Sequence, residues 1–484
     1  PYFRVISEDK DMTFNPRIYA DKSFLIQNEY RQALERSQIK SDLSVMIGGL
    51  GTKSHFFFNQ IGKYNEYTNY ELNFQTVKGD NYLKNHNLKE SSDLIRDENL
   101  LLSNFDINWK LDESSLDTSF KIYEDLSRNY HDRYQYIFPD FSFKRNLKIP
   151  EKYFGRFDFY SYGYNKNYNT NVLESVITND FLFKSNEYIN SKGIVTEYDL
   201  LLKNSNSYSN NSLNFDENTK YNVFGIAKFD ASLPLQKKLI DHTNYLKPII
   251  SFRYSPNGNS NLTSKDIFLN YDSAFNLNRI GTSYEVEGGE SLSFGLEFKR
   301  TNSINQNILD LKVANVVKAS ENFNLPTKSK LNKTRSDIFG DLNYKINKNI
   351  NLNYFFSYDK DLEYSNLDGL NLSAEINNFF TNFNYYAEGN DLLDKETIQN
   401  KTKYKFNKEN IFSFEIAKDL KNEFTEFYDL SYEYITDCLS LNLKYNTSFY
   451  SDGNIEPNKS LTFLIKIIPF TELGVTNVGN IVGK

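Results

Sequence analysis

Between Cys438 and Tyr450 the residues alternate strictly: Leu439, Leu441, Leu443 and Tyr445 stand on one parity, Ser440, Asn442, Lys444 and Asn446 on the other. The run from Ser291 to Lys299 repeats the pattern, with Leu292, Phe294, Leu296 and Phe298 set against Ser291, Ser293, Gly295, Glu297 and Lys299. So do Leu352, Tyr354, Phe356 and Tyr358; Phe105, Ile107, Trp109 and Leu111; Tyr428, Leu430, Tyr432 and Tyr434; and Leu461, Phe463, Ile465 and Ile467. Successive side chains of a strand point to opposite faces, so alternation of this kind predicts strands with one apolar and one polar face.

The length of these runs decides the kind of sheet. They extend over about 10 to 14 residues, beyond the five or six usual in globular strands. They match the 9 to 11 residues of a tilted membrane strand plus its overhang. The opposite face is rich in Asn, Ser, Asp, Glu and Lys. Apolar outside and polar inside is the arrangement of a barrel that meets lipid on its outer wall and water in its lumen. Composition agrees only when split by parity. A mean hydropathy of -0.61 taken alone reads as soluble, and no run of 18 apolar residues offers a membrane helix. The 36 Tyr, 40 Phe and roughly one Asn in eight residues favour strands and turns and exclude a disordered chain.

Turn chemistry separates the runs: DKS at 21–23, INKN at 346–349 and FNKEN at 406–410 are short, whereas 80–97, 204–219 and 256–283 read as long polar loops. Short turns on one side and long loops on the other fit an outer-membrane barrel. Length alone allows two to four soluble domains, but no composition break divides the chain, and one domain over 1–484 is the simplest account. About 25 strand candidates emerge, and since bacterial single-chain barrels have even strand numbers, the expectation is a transmembrane antiparallel β-barrel of about 26 strands. Barrels of 22 strands already enclose a lumen that must be plugged. With no plug-like segment legible in the chain, a separate filling partner or an unusually gated pore is expected.

The net charge of -7, from 63 acidic and 56 basic residues scattered along the chain, gives no footprint for nucleic acid. One cysteine, Cys438, cannot form an internal disulfide. The chain starts at Pro1 without Met or leader and is taken as a mature chain or excised domain. His55, His86, His131 and His242 lack ligand spacing, so no metal site is expected. Glu285, Glu287 and Glu290 around Gly288-Gly289 lack the spacing of a calcium loop and are expected as a solvated charged strand end. No G-x-S-x-G elbow, phosphate loop or distinguished Ser–His pair appears. Neither catalytic residues nor a cofactor is therefore expected, and the chain does not read as an enzyme.

The first block, PYFRVISEDKDMTFNPRIYADKSFLIQNEYRQAL (1–34), resembles the start of the barrel of the lipopolysaccharide-assembly outer-membrane proteins, the LptD (OstA) family. The resemblance rests on Pro1-Tyr2, Asp11-x-Thr13, Pro16-Arg17 and Asn28-Glu29-Tyr30-Arg31. FNLNRIGTSYEVEGGESLSFGL (275–296) and LSYEYITDCLSLNLKY (430–445) are similar to the family in the same order. The resemblance implies a 26-strand barrel in the outer membrane that delivers lipopolysaccharide to the outer leaflet through its lumen and a lateral gate. It also implies a plug lipoprotein (LptE-like), a periplasmic jelly-roll domain upstream of this chain, and a bridge protein (LptA-like) reached through that domain. Two features depart from the family: Asp437 precedes a lone Cys438 where members often have two adjacent cysteines, and Gln32 follows Arg31 where many have an aromatic.

Pro1 and Pro16 are fifteen residues apart, one in each of the first two expected strands. Proline lacks the N–H that a ladder requires, so either these residues merely begin a strand and flank a turn, or they weaken pairing where the first strand meets the last. The resemblance favours the second reading, a lateral gate. The last strand is expected around Leu461, Phe463, Ile465 and Ile467, with Pro469 limiting pairing just beyond. Cys438 is either an inert residue at a strand start or, as its position in the family implies, half of an interdomain disulfide. The competing function is a porin or receptor-type channel, which predicts a constriction loop or plug domain and a terminal aromatic; here fourteen residues follow Phe470.

Overall fold

The computed structural model describes residues 2–19, 23–48, 51–148, 150, 154–215, 217–256, 259, 261–263, 265–389, 395–449, 458–467 and 471–475. Its first strands are β1 (Tyr2–Ser7), β2 (Lys10–Ile18), β3 (Phe24–Ala33), β4 (Ser37–Ile47), β5 (Lys53–Lys63), β6 (Thr68–Lys78), β7 (Leu100–Leu111), β8 (Ser114–Asp125) and β9 (Tyr134–Leu147). The middle of the chain forms β10 (Gly155–Tyr168), β11 (Val172–Ser185), β12 (Val195–Asn210), β13 (Asn218–Ser232), β14 (His242–Ser255), β15 (Gly289–Asn302), β16 (Asn307–Lys318) and β17 (Ile338–Asn347). Then come β18 (Ile350–Tyr358), β19 (Ser365–Ile376), β20 (Phe379–Glu388), β21 (Lys395–Lys405), β22 (Asn410–Asp419), β23 (Phe424–Ile435), β24 (Leu439–Ser448), β25 (Asn458–Ile467) and β26 (Thr471–Val475). Two short pieces, Tyr188–Ile189 and Leu235–Lys238, continue β11 and β13 after a break. The described chain therefore crosses 26 times, as expected of the barrel. All strands belong to one sheet, each antiparallel to the next in sequence.

Asparagine serves the turns. Asn169, Asn305 and Asn377, with Asp112 in the two-residue β7–β8 turn, take positive φ at tight connections. Short polar side chains tolerate that left-handed region, which tight hairpins require. The expected long loop at 204–219 is not one: β12 runs to Asn210, and its residues 204–209 pair with both β11 and β13, leaving only 211–217 as a connection.

Burial is inverted relative to a water-soluble protein. On β12, Tyr198, Leu200 and Leu202 are 44%, 46% and 51% exposed, while Asp199, Lys203 and Ser205 are only 2–3% exposed. On β14 and β15, Leu246, Ile250, Phe252, Leu292, Phe294 and Leu296 face out, and Ser251, Arg253, Ser291 and Ser293 are buried. Large apolar side chains standing outward on neighbouring strands are stable only against hydrocarbon, which stabilises them by about 25 cal/mol per Å² removed from water.

The polar side chains are buried because the chain fills part of its own lumen, contrary to the expectation that it holds no plug-like segment. Connections 256–288, with α2 (Tyr271–Ala274), and 319–337 fold inward together. Leu262, Leu269, Tyr271, Ala274, Ile280, Leu325 and Leu331 form an apolar core against Ala314 and Val316 of β16 and Phe339 of β17. Connection 79–99, with α1 (Tyr82–Asn85), packs Tyr82, Leu83, Leu88 and Ile95 on Leu25 of β3 and Phe57 of β5. Strand parity puts all three connections at one end of the barrel, the end that also holds the described chain ends Tyr2 and Val475.

Candidate functional site

The first and last described strands of the sheet, β1 and β26, do not close on each other. Cα atoms of β1 and β26 come within 8 Å, yet no ladder joins the two strands among the described residues. Every side chain from Tyr2 to Ile6 is exposed, so β1 has no buried face. Its ladder to β2 ends at Tyr2 opposite Phe14 and shifts register between Val5 and Ser7, whereas β2 pairs with β3 without interruption from Lys10 to Ile18. Pro16, opposite Ile26 of β3, lies two residues past the last described β1 partner.

Pro1 and Pro469 lie outside the described residues. Leu461, Phe463, Ile465 and Ile467 lie on β25 and pair with β24, and the last three also pair with β26. One further strand therefore stands between that run and β1. Alternation could not reveal β26, since Thr471–Val475 is too short to display a period.

Next to this seam, the side chains of the N-terminal block acquire partners. Asp11 and Arg31 are opposite each other on β2 and β3 and form an ion pair of 2.8 Å, with the Arg31 guanidinium 5.9 Å from the ring centre of Phe3 on β1. Arg17 donates to the carbonyl of His86 and, at 2.8 Å, to Ser91 Oγ. Ser91 donates to Gln27 Oε1 at 2.7 Å, and Gln27 donates to Asp42 at 2.9 Å. Connection 79–99 thus latches β2 to β4 from the lumen side. Deeper in, Ser44 Oγ bonds both His55 Nδ1 (2.6 Å) and Tyr82 Oη (2.7 Å), and His55 Nε2 lies 3.2 Å from Asp42. The sequence did not single out this Ser–His pair because its members come from different strands. The group is sealed: Ser44, His55 and Asp42 are at most 1% exposed, leaving no approach for a substrate. Burial pushes the Tyr82 phenol up to about 12, against the opposing hydrogen bond from Ser44, so it stays neutral.

The second network holds the 256–288 connection. Arg279 grips Glu287 with two nitrogens, Nε at 2.8 Å and a terminal nitrogen at 2.9 Å, and also reaches Ser291 and Ser293. Lys318 Nζ is 3.0 Å from Glu287 and donates to the carbonyl of Leu331. Glu287 is fully buried and Glu285 nearly so, which overturns the expectation of a solvated charged strand end; Glu290 alone is exposed. Burial raises the Glu287 pKa, but Arg279, Arg253 and Lys318 outweigh it and hold the carboxyl down at about 2. The family-like segment 275–296 is therefore the clamp that seats the connection on the wall.

The neighbouring strands carry a row of amides set among charged side chains such as Asp341, Lys401 and Glu415. Asn343, Asn353, Asn371, Asn384 and Gln399 stand in one register across β17 to β21, on the lumen-facing parity of Phe339. Asn371 donates to Asn384. A row of amides offers alternating donors and acceptors, the groups that pair with sugar hydroxyls. Lys237 and Lys238 are exposed at the other end of the barrel and take no part in the lumen wall. Among the described residues no three His, Cys, Asp or Glu side chains converge on a metal position.

Cys438 is exposed in the 436–438 turn between β23 and β24, at the end opposite Tyr2. Any partner thiol must belong to a polypeptide that reaches this end. Alkylation of the full-length protein without reductant is expected to leave Cys438 unmodified if it is bridged; free reaction means no bridge.

A model of the family LptD, LPS transport system D, matches residues 52–415, about three quarters of the chain. No curated protein matches significantly. Among solved structures, the siderophore receptor PirA from Pseudomonas aeruginosa aligns over 97% of this chain and 80% of its own at 9% identity and a TM-score of 0.35. The alcaligin outer membrane receptor FauA from Bordetella pertussis aligns over 98% and 74% at 8% identity and a TM-score of 0.28. At these scores neither alignment carries an argument.

Proposed function

The chain belongs to the LptD family, LPS transport system D, and on that premise we propose that lipopolysaccharide passes through its lumen and leaves sideways between β1 and β26. The protein is an outer-membrane β-barrel of a lipopolysaccharide transport system. Its cargo has two incompatible halves. Sugars and phosphates need a wet, polar path, which the amide and charged walls of the lumen supply. Acyl chains lose about 0.8 kcal/mol for each CH₂ taken out of hydrocarbon, so a chain of a dozen carbons carried through water costs roughly 10 kcal/mol. A lateral seam removes that cost, because the acyl chains then stay in lipid.

The observation that carries the gate is that the first and last described strands approach without a ladder between them among the described residues. Pro16 contributes by supplying no N–H to the second strand. The reading assigns the chain no catalytic step. It includes the barrel as one domain, an upstream periplasmic jelly-roll domain, an LptE-like lipoprotein that fills the lumen the three connections leave open, and an LptA-like bridge. Depletion of the protein is expected to deprive the cell surface of newly made lipopolysaccharide while its synthesis continues. Normal surface delivery after depletion would sink the reading.

A further inference from the structure

Strand registers align one row of inward side chains across seven strands. Arg156 of β10 is opposite Lys184 of β11, and the row continues through Asp199, Lys228, Arg253, Ser291 and Lys318 on β12 to β16. Five of the seven positions are cationic. The flanking inward rows are different: Asp158, Leu182, Leu201 and Ile226 on one side, and Glu197, Asp230, Ser251, Ser293 and Val316 on the other.

The row is also oblique. Arg156 is the second residue of β10, at the short-turn end, and Lys318 is the last residue of β16, at the end of the long connections. With strands ~4.8 Å apart, six ladder steps cover roughly 29 Å. Because barrel strands tilt by about 40°, the row climbs by roughly 19 Å, most of the height of the apolar band.

The present partners of these cations divide the row in two. At its start, Arg156 is ion-paired with Asp158 at 2.8 Å, and Lys184, with no ion-pair partner among the described residues, lines a cavity of 370 Å³ in which Lys228 and Lys247 stand beside the carboxylates Glu187, Glu197, Asp230, Asp272 and Glu297. Farther along, acceptors of the inward connections take over. Lys228 donates to the carbonyl of Phe275, besides its ion pairs with Asp230 and Asp199, and Arg253 Nε donates to the carbonyl of Leu277. Lys318 binds Glu287 and the carbonyl of Leu331. Among the described residues neither terminal nitrogen of Arg253 has a hydrogen-bond partner, and the side chain is only 2% exposed. A guanidinium in that state has unused capacity for the two-pronged hydrogen bonding that phosphate oxygens accept.

We infer that this row is a phosphate-binding track for the anionic headgroup of the transported glycolipid, open at Lys184 and occupied from Lys228 to Lys318 by acceptors of the inward connections until cargo replaces them. The inference rests on the lipopolysaccharide reading above and adds the residues that recognise the charged part of the cargo.

The test uses the full-length protein in its native outer-membrane complex, with a photo-crosslinking amino acid at Glu197, beside Lys184 in the cavity, or at Asn353 on the amide wall. The probes are a phosphorylated lipopolysaccharide and a phosphate-free glycolipid of the same acylation. Labelling from Glu197 is expected with the phosphorylated probe and is expected to fall about tenfold either without phosphates or in Lys184→Gln/Arg253→Gln. Lys184→Arg/Arg253→Lys restores it, and Lys237→Gln, on an exposed strand extension, leaves it unchanged. Should Arg253→Gln impair folding, seen as loss of heat-modifiable migration, Lys184→Gln alone carries the test, because that part-exposed side chain holds no ion-pair or hydrogen-bond partner among the described residues. Equal labelling with and without phosphates, or undiminished labelling in the variants, overturns the track. Labelling from Asn353 but not from Glu197 overturns the track and leaves the transport reading standing. Labelling from neither position overturns both.

Discussion

Glu287→Ala is expected to release the 256–288 connection from the lumen wall, at a cost of about 3–5 kcal/mol, the usual penalty for breaking a buried pair from one side. Glu287 is fully buried, held by Arg279 at 2.8 and 2.9 Å and by Lys318 at 3.0 Å, with Arg253 adding its charge. Its removal leaves three buried cations without a carboxylate. Hydrogen exchange reads the effect, since amides of 256–288 should lose roughly a hundredfold or more of their protection while strands distant from that connection keep theirs. The wild type should approach the same state in acid. The folded carboxyl lies at about 2 against an ordinary value of 4.5, so its contribution is fully present above about pH 4.5 and is lost as pH falls towards 2. Glu287→Gln keeps the shape without the charge, and its exchange should show a weaker acid dependence. Unchanged protection in Glu287→Ala would mean that the apolar core of Leu262, Ile280, Leu325 and Leu331 alone seats the connection.

Covalent closure of the seam should abolish delivery. Cysteine pairs scanned between Tyr2–Ser7 and Thr471–Val475 are expected to include at least one that crosslinks, since the strands approach within 8 Å and a disulfide spans Cα separations of 4.4–6.8 Å. Cells carrying the crosslinked protein should stop placing lipopolysaccharide on their surface, and a reductant should restore it. Export that continues through a fully crosslinked barrel would end the lateral exit. The lumen reading would survive that result; the account of where the acyl chains travel would not.

Legibility in the sequence followed how local each determinant is. Wherever a strand separates an apolar from a polar face, as at Leu439–Tyr445 or Leu292–Phe298, alternation located it. It failed at 204–210, where Asn, Ser, Asn, Ser, Tyr, Ser and Asn put polar groups on both faces. That part of β12 is held by backbone pairing to Leu173–Asn179 of β11 and Asn218–Val223 of β13 rather than by a face in lipid. The resemblance of 275–296 to a family was visible, but its physical basis was not: Arg279 and Glu287 are eight residues apart in a segment that looks solvated until β14, β15 and β16 enclose it.

Alternation, strand length and turn composition are properties of neighbouring residues, so the sequence by itself determined a large lipid-facing barrel of about 26 crossings with a polar interior. Which polar residues share a row, and which connections lie inside, depends on register between strands that can be a hundred or more residues apart. Lys184 and Lys318 are 134 positions apart yet belong to one ladder row. Only the tertiary structure decided that, because a one-residue slip in any intervening ladder would turn part of the row outward to lipid.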